Sequence, residues 1–183
     1  MTNSRQLLID HLTTHAVQRG DFTLKSGKQS DWFLDAKQTA CDPIGIQLAT
    51  DLALEVIPPD ATAIGGLTVG ADPVAYGVAA VAATRGRLLR SFTVRKEAKG
   101  HGMGGRIAGA LRPDDRVVIT EDAVTRGSSL MEATEVVQGF GCTVVLIMPL
   151  VDRGGTCEAL AKAAGIEYRP LVTALDLGFP YEG

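Results

Sequence analysis

The chain has 183 residues, of which 45% are apolar and 21% are charged, and its formal net charge is −3. This length and apolar content exclude a disordered protein and predict one domain, residues 1–183, around a single core. The slightly acidic balance argues against nucleic acid as a partner, since nucleic-acid-binding domains are usually basic.

The cysteine pattern and the first residues both favour the cytoplasm. Cys41, Cys142 and Cys157 lack the C-x-x-C spacing of a zinc or disulfide framework. The first six residues lack the basic start and apolar run of a signal peptide, and no apolar stretch approaches the roughly 18 residues of a membrane span. We expect a cytoplasmic protein that does not associate with a membrane.

The first 40 residues predict a helix followed by a strand pair. Asn3 or Ser4 can cap a helix, the helical spacing of the apolar residues from Leu7 to Val17 predicts it, and Gly20 would end it. Segments 22–24 and 32–34 flank a Lys-Ser-Gly-Lys turn, which predicts a hairpin.

The rest of the chain alternates between predicted helices and strands. Asp42-Pro43 and Asp72-Pro73 each precede an alanine-rich segment, and Asp at the N-cap with Pro in the first turn predicts a helix at both places. Short apolar runs with few charges are typical of strands buried on both faces. The predicted strands are 61–64, 88–94, 117–119 and 143–151, and the later helices are 128–138 and 156–164. This alternation predicts an α/β fold with a central, mainly parallel sheet flanked by helices.

An acid pair and a phosphate-binding turn follow the predicted strand 117–119. Glu121 and Asp122 come directly after Thr120, and a Thr/Gly/Ser turn at 125–129 then opens a helix. Such a turn can offer backbone N–H groups, hydroxyls and a helix N-terminus to one phosphate. A ribose phosphate would suit both features, because its ring hydroxyls and any bound Mg²⁺ would face the two acids.

A second cluster is cationic and runs into glycines. Arg95, Lys96 and Lys99 precede a segment, 100–109, that holds His101 and five of the 21 glycines. The glycines argue against a stable helix, and a solvated basic loop is the simplest interpretation.

Both segments resemble those of the type I phosphoribosyltransferases. The stretch 117–129 has an apolar strand, two acids, two apolar residues, Thr and small residues, and is similar to that family's signature for phosphoribosyl pyrophosphate (PRPP). The cationic pattern R-K-x-x-K-x-H-G resembles the mobile catalytic loop of the orotate phosphoribosyltransferases.

Three further segments extend the resemblance to the orotate branch. Segment 22–35 is similar to the family's N-terminal segment, which implies that Lys25 contacts PRPP and that Phe33 lies over the base. Segment 65–72 resembles the pyrophosphate loop, without the lysine that some members carry there. Arg153 follows the strand 143–150 and is implied as the partner of the orotate carboxylate, since a guanidinium pairs bidentately with a carboxylate.

The resemblance implies three sets of site residues. The catalytic residues would be Lys99, His101 and Asp122. The PRPP-binding residues would be Lys25, Arg95, Lys96, Lys99, His101, Glu121, Asp122, Ala123, Val124, Thr125, Arg126, Gly127, Ser128 and Ser129. The orotate-binding residues would be Phe33, Thr125 and Arg153. Mg²⁺ would be carried mainly by PRPP, with Glu121 and Asp122 as its candidate protein contacts.

The resemblance also implies a reaction and an assembly. Ribose 5-phosphate would pass from PRPP to N1 of orotate, giving orotidine 5′-phosphate and pyrophosphate in pyrimidine biosynthesis. A small N-terminal hood, about residues 1–40, would pack on the core, and a homodimer would let the loop 95–105 complete the neighbouring subunit's site. Two alternatives stay open: a phosphoribosyltransferase that acts on a purine base, and a non-catalytic regulator that binds PRPP.

Overall fold

The computed structural model describes residues 4–23, 27, 29–98 and 105–183. The strands are β1 (Val17–Thr23), β2 (Gln29–Leu34), β3 (Ala63–Leu67), β4 (Arg90–Val94), β5 (Ile107–Gly109), β6 (Arg116–Ile119), β7 (Ala123–Val124), β8 (Thr143–Ile147), β9 (Val151–Asp152), β10 (Glu167–Tyr168) and β11 (Val172–Thr173). The helices are α1 (Ser4–His15), α2 (Lys37–Ala40), α3 (Pro43–Val56), α4 (Ala71–Thr84), α5 (Ser128–Gly139) and α6 (Cys157–Ala163), with a 3₁₀ turn at Leu175–Leu177.

A six-stranded sheet in the order β10-β8-β6-β3-β4-β5 forms the centre of the molecule. Its neighbours pair in parallel, except that β5 is antiparallel to β4. One apolar cluster holds buried residues of α1, α3 and α4, and a second holds those of α5 and α6. The predicted α/β fold with a mainly parallel sheet is therefore confirmed. Within the described residues, no helix is both long enough and apolar enough to cross a membrane.

The first helix is shorter than predicted. It ends at His15, and Val17 and Gly20 lie in β1, which pairs antiparallel with β2. The reason is long-range pairing: the Asp35 N–H donates to the Ala16 carbonyl at 2.9 Å, and Val17 lies opposite Leu34. The predicted hairpin is confirmed. Its first strand begins earlier than predicted, at Val17, and so includes residues that the helical spacing assigns to α1.

The two Asp-Pro helices begin differently. Asp42 is the N-cap of α3, as predicted, and its carboxylate accepts the Ile44 and Gly45 N–H groups at 2.8 and 2.9 Å. Helix α4 instead starts at Ala71. Asp72 therefore lies inside the first turn, where it accepts hydrogen bonds from two hydroxyls, those of Thr68 and Thr93, at 2.7 and 2.8 Å.

The segment 65–72 is strand, turn and helix in succession. Residues 65–67 belong to β3, and only 68–70 form a turn before α4. A Cβ at Gly65 would lie 2.4 Å from the Phe92 carbonyl oxygen, so this glycine serves the close approach of β3 and β4.

The predicted strand 143–151 is two strands. β8 ends at Ile147, and β9 belongs to a separate sheet in the order β11-β9-β7. Pro149 lies between them and has no N–H to offer a ladder. After this break, β9 pairs with β7, and β7 is the strand that directly follows the acid pair.

Candidate active site

The acid pair lies at the carboxyl edge of the central sheet, where two loops are bonded together. The Thr120 hydroxyl donates to the Met148 carbonyl at 2.7 Å, and the Leu150 N–H donates to the Glu121 carbonyl at 2.8 Å. Glu121 and Asp122 are 7% and 9% exposed. The sequence therefore predicted the position of both acids, at the edge where parallel sheets bind ligands.

Burial changes the acidity of Glu121. Desolvation is the largest cause, followed by the charge of Asp122, and together they raise the pKa of Glu121 to about 8. Asp122 is held on both oxygens: Oδ1 accepts the Ala123 N–H at 2.8 Å, and Oδ2 accepts from the ammonium of Lys37. Two neighbouring carboxyls are tolerated here because burial favours the protonated form of Glu121 and because Asp122 has a cationic partner.

Lys37 is a site residue that the sequence did not reveal. It begins α2, and its side chain is 41% exposed while its ammonium bonds Asp122. Burial lowers the pKa of Lys37, but the hydrogen bond and charge of Asp122 and the charge of Glu121 outweigh it, so the pKa is raised overall. A buried acid pair indicates that a cationic side chain lies nearby. Lys37, however, is 85 residues away from Asp122 along the chain, and no sequence spacing identifies it as the partner.

The turn before α4 closes over the acid pair. A Cβ at Gly70 would lie 1.6 Å from Glu121 Oε1 and 2.8 Å from Asp122 Oδ1. Gly70 therefore lets the backbone of this turn touch both carboxyls. The Thr68–Val69 peptide bond in the same turn is cis.

The turn predicted to bind phosphate leads into a helix, as the sequence predicted. Helix α5 begins at Ser128, and Gly127 is its N-cap with a left-handed φ of +78°. A Cβ at Gly127 would also lie 3.0 Å from Cys157 Sγ and 3.1 Å from Leu160, so two separate constraints require glycine. The helix leaves its first N–H groups to a ligand, since no side chain caps them. Thr125 and Ser129 are half-buried there, and Arg126 and Ser128 are exposed.

The cationic segment starts at the end of β4 and returns through β5. The Arg95 N–H donates to the Arg106 carbonyl at 2.6 Å, and Arg106 Nε donates to the Arg95 carbonyl at 2.7 Å. Arg95 is half-buried and Lys96 is exposed. Lys25, Lys99 and His101, which the sequence assigned to the site, lie outside the described residues.

Arg153 lies beside the phosphate-binding turn. Its backbone N–H donates to the Val124 carbonyl at 2.8 Å, and a Cβ at Gly154 would lie 1.7 Å from the Thr125 carbonyl oxygen. Asp152 shapes this turn by accepting the Gly154 and Gly155 N–H groups, both at 2.9 Å. The structure thus brings the backbones of Arg153 and Thr125 close together; that both residues bind orotate stays a prediction.

The guanidinium of Arg153 is buried and already has partners. Nε and Nη2 each lie 2.6 Å from Glu182 Oε2, and Nη2 donates to the Trp32 carbonyl at 3.1 Å. The guanidinium carbon also lies 4.3 Å from the centre of the Trp32 ring. Glu182, like Lys37, was missed from the sequence, because only the fold brings the C-terminus to this arginine.

Trp32 and Phe33 lie on opposite faces of β2. Trp32 is fully buried and stacks on Phe179 with ring centres 4.1 Å apart. Phe33 is 39% exposed and lies against Phe22 at 5.6 Å. The aromatic ring that contacts Arg153 is therefore that of Trp32, and Phe33 remains a candidate through its exposed face.

Comparisons with known proteins agree with this geometry. An orotate phosphoribosyltransferase of Rhodopirellula baltica is 39% identical over 179 residues, which cover 93% of this chain and 92% of the relative. The solved structure of the Mycobacterium tuberculosis H37Rv orotate phosphoribosyltransferase with Fe(III) dicitrate is 35% identical and covers 97% of this chain and 100% of its own, with a TM-score of 0.85. That enzyme in complex with PRPP is 30% identical over the same shares of both chains, with a TM-score of 0.82. No family model matches the chain.

The fold and its structural neighbours place the chain in the class of the phosphoribosyltransferases. Within that class, the identity to relatives along nearly the whole chain is decisive. The chain belongs to the orotate phosphoribosyltransferase family.

Proposed function

We propose that the chain catalyses the reaction after which its family is named: transfer of ribose 5-phosphate from PRPP to N1 of orotate, giving orotidine 5′-phosphate and pyrophosphate. The protein is a pentosyltransferase of pyrimidine biosynthesis. One observation supports PRPP and orotate as the two substrates: the turn that holds Arg153 is bonded to the phosphate-binding turn. The Arg153 N–H donates to the Val124 carbonyl at 2.8 Å, at the start of the phosphate-binding turn. A turn suited to an anion and an arginine suited to a carboxylated base are thus neighbours in the fold.

PRPP would lie along the carboxyl edge of the sheet. Its 5-phosphate suits the first turn of α5, where Gly127 leaves room and the helix N-terminus is favourable for an anion. Its ring hydroxyls suit the acid pair, with Lys37 as an additional contact at the mouth of the site. Its diphosphate suits the basic residues that the sequence assigns to it, which are Lys25, Arg95, Lys96, Lys99 and His101.

Orotate would lie between the two turns. Arg153 would bind its carboxylate, since a guanidinium matches that group in shape and charge. Thr125 would contact the ring from the phosphate-binding turn, and Phe33 would cover it from β2.

The reaction then needs positioning more than covalent help from the protein. Orotate N1 would attack the anomeric carbon while the bond to the diphosphate oxygen breaks and its electron pair leaves with pyrophosphate. The proton of N1 would end on the departing pyrophosphate, which balances the step. The ribosyl carbon carries positive charge at that point, which the carboxylate of Asp122 can stabilise. Lys99 and His101 would neutralise the departing pyrophosphate, and holding both reactants in one pocket supplies the proximity effect.

Mg²⁺ would enter with PRPP. The acid pair offers oxygen ligands, which Mg²⁺ prefers, and Mg²⁺ is usually held by one or two carboxylates together with substrate phosphates. Among the described residues, no three His, Cys, Asp or Glu side chains gather to hold a metal by themselves. The residues present fit an ion bound mainly to the diphosphate, with Asp122 and Glu121 contacting its water shell. When bound, it would neutralise part of the diphosphate charge.

The assembly that suits the loop 95–105 is a two-fold homodimer, in which this loop completes the neighbouring subunit's site. The first 40 residues would act as a hood over the base, because α1 and β2 bury Leu8, Leu12 and Trp32 against the core. The cysteines Cys41, Cys142 and Cys157 are free thiols, which supports a reducing compartment such as the cytoplasm.

An assay of base consumption tests this function. The purified protein is given PRPP, Mg²⁺ and one base at a time: orotate, adenine, hypoxanthine or guanine. We expect consumption of orotate, and we expect Asp122→Asn to reduce it strongly. Consumption of a purine instead of orotate would overturn the substrate assignment, and PRPP binding without consumption of any base would indicate a regulator.

A further inference from the structure

The C-terminal tail, residues 180–183, folds back onto the arginine that is proposed to bind the base. The Glu182 N–H donates to the Arg153 carbonyl at 3.1 Å, and Glu182 Oε2 lies 2.6 Å from both Nε and Nη2 of Arg153. Glu182 Oε1 accepts the Ser30 hydroxyl at 2.5 Å. The side chains of Glu182 and Arg153 are each 9% exposed, so this is a desolvated ion pair.

Tyr181 fixes the tail beside the same turn. A Cβ at Gly155 would lie 2.7 Å from the Tyr181 ring, so the ring packs directly on the glycine backbone. Gly155 has a left-handed φ of +69°. The turn that follows Arg153 therefore has no side chain at Gly155, and the Tyr181 ring of the tail packs there against the backbone.

The position of Glu182 conflicts with substrate binding as proposed above, on which this inference rests. The Nε–Nη2 edge of Arg153 is one of the two edges on which a guanidinium receives a carboxylate bidentately, and Oε2 of Glu182 occupies it. An orotate carboxylate cannot use that edge at the same time. Both carboxylates together would place two negative charges on one guanidinium in a buried pocket, which is unfavourable.

We propose that Glu182 is an internal competitor of orotate: the tail occupies the base subsite with its own carboxylate and is displaced when orotate binds. The exchange replaces one Arg153–carboxylate pair by another, so Arg153 does not have to stay buried without a partner. In the substrate-free enzyme, Glu182 thereby neutralises the buried charge of Arg153, and the competition lowers the affinity for orotate.

The tail can move without disturbing the core. Its last firm anchor is Phe179, which is 4% exposed, stacks on Trp32 and donates its N–H to the Ala174 carbonyl at 3.0 Å. Pro180, Tyr181 and Gly183 are exposed. Displacement therefore needs only the last four residues to leave, while the stack on Trp32 stays.

Steady-state kinetics of three variants test the proposal. Glu182→Gln removes the competing charge, a truncation after Phe179 removes the tail, and Glu135→Gln is the control, since it removes an exposed carboxylate from the middle of α5. We expect both tail variants to lower the KM for orotate about fivefold, the effect of roughly 1 kcal/mol, with the KM for PRPP and kcat unchanged. The control should match the wild type.

Opposite results are equally clear. A higher KM for orotate in Glu182→Gln would mean that Glu182 positions Arg153 for the substrate, and an unchanged KM would mean that the contact plays no part; either overturns the proposal.

Trp32, the only tryptophan of the chain, gives a second readout. Saturating orotate should shift the wild-type Trp32 emission towards that of the truncated protein. If the wild type does not consume orotate at all, the proposed function fails instead, whatever the variants do.

Discussion

Single residues at the acid pair decide how the pocket tolerates negative charge. Glu121 and Asp122 are adjacent, buried and followed by a turn suited to a phosphate, so each added negative charge has a cost. Lys37 and the protonated state of Glu121 offset that cost in the substrate-free protein. Removing either feature should have a measurable effect.

Lys37→Met should weaken PRPP binding. The substitution leaves Asp122 without its cation and takes away a positive charge from the mouth of the site, so we expect the KM for PRPP to rise about tenfold, equivalent to roughly 1.4 kcal/mol. Lys37→Arg should restore part of the loss. Lys162→Met, on the exposed face of α6, is the control for loss of a surface charge. Equal KM values for PRPP in Lys37→Met and the control would remove Lys37 from the site.

The raised pKa of Glu121 predicts a pH effect on stability. Between pH 4.5 and about 8 the folded protein keeps the Glu121 proton that the unfolded chain releases. Unfolding is therefore favoured as pH rises through this window, by up to about 1.4 kcal/mol for each pH unit. Glu121→Gln cannot ionise, so urea unfolding at pH 5.5 and 7.5 should show a smaller loss of stability in the variant. The same pH slope in both proteins would show that Glu121 ionises as freely as an exposed carboxyl.

Among the secondary-structure elements, β4 and β5 hold both ends of the cationic loop. Arg106 at the return of the loop donates to the Arg95 carbonyl and also pairs with Glu132 of α5, the helix that follows the phosphate-binding turn. Arg106 therefore ties the end of the loop to the element that would bind the 5-phosphate.

Arg106→Met should slow turnover with little effect on folding. The backbone pairing of β4 and β5 would remain, but the return of the loop would lose its side-chain link to α5. We expect kcat to fall about tenfold, because the loop proposed to stabilise pyrophosphate would be positioned less well. The free energy of unfolding should change by less than about 1 kcal/mol, as for other partly exposed ion pairs. Arg169→Met, which breaks the exposed pair with Glu167, is the matched control. A similar kcat in the two variants would contradict the role of Arg106.

The elements also separate what the sequence can predict from what it cannot. The acid pair, the start of α5 and the Asp42 cap follow from local chemistry, and all three were predicted correctly. Val17 was wrongly assigned to α1 because β-pairing with Leu34 overrides the local helical spacing. Lys37 and Glu182 were missed because their partners lie 85 and 29 residues away along the chain, and such ion pairs leave no periodic pattern.

At the scale of the whole molecule, α1 and the N-terminal hairpin both contact residues near the C-terminus. Arg5 of α1 bonds Asp176 of the 3₁₀ turn at 2.7 and 2.9 Å, and Phe179 packs on Trp32 of the hairpin. The N-terminal hairpin and the C-terminal tail therefore form one layer over Arg153, and an assembly that touches this layer would affect the pocket.

Mixing of inactive subunits tests the proposed homodimer. We expect Lys99→Ala to inactivate the loop that a subunit would lend, and Asp122→Asn to inactivate the site that it would keep. In a mixed dimer one site has an intact Asp122 and receives an intact Lys99, so we expect orotate consumption to reappear on mixing. Isolated heterodimers that stay inactive would contradict shared sites, and a monomer in sedimentation would contradict the dimer itself.

Cys157, whose sulfur packs against Gly127, is one of three cysteines that differ in their expected reactivity. Burial raises the pKa of Cys157 to about 11 and raises that of Cys142, so both thiols stay protonated in neutral solution, whereas Cys41 is exposed. Because the thiolate is the reactive form, a maleimide dye should attach at Cys41 alone. Cys41 directly follows α2, the helix that begins with Lys37. The natural chain therefore carries one attachment point for an optical reporter of its pocket, with no cysteine to remove beforehand.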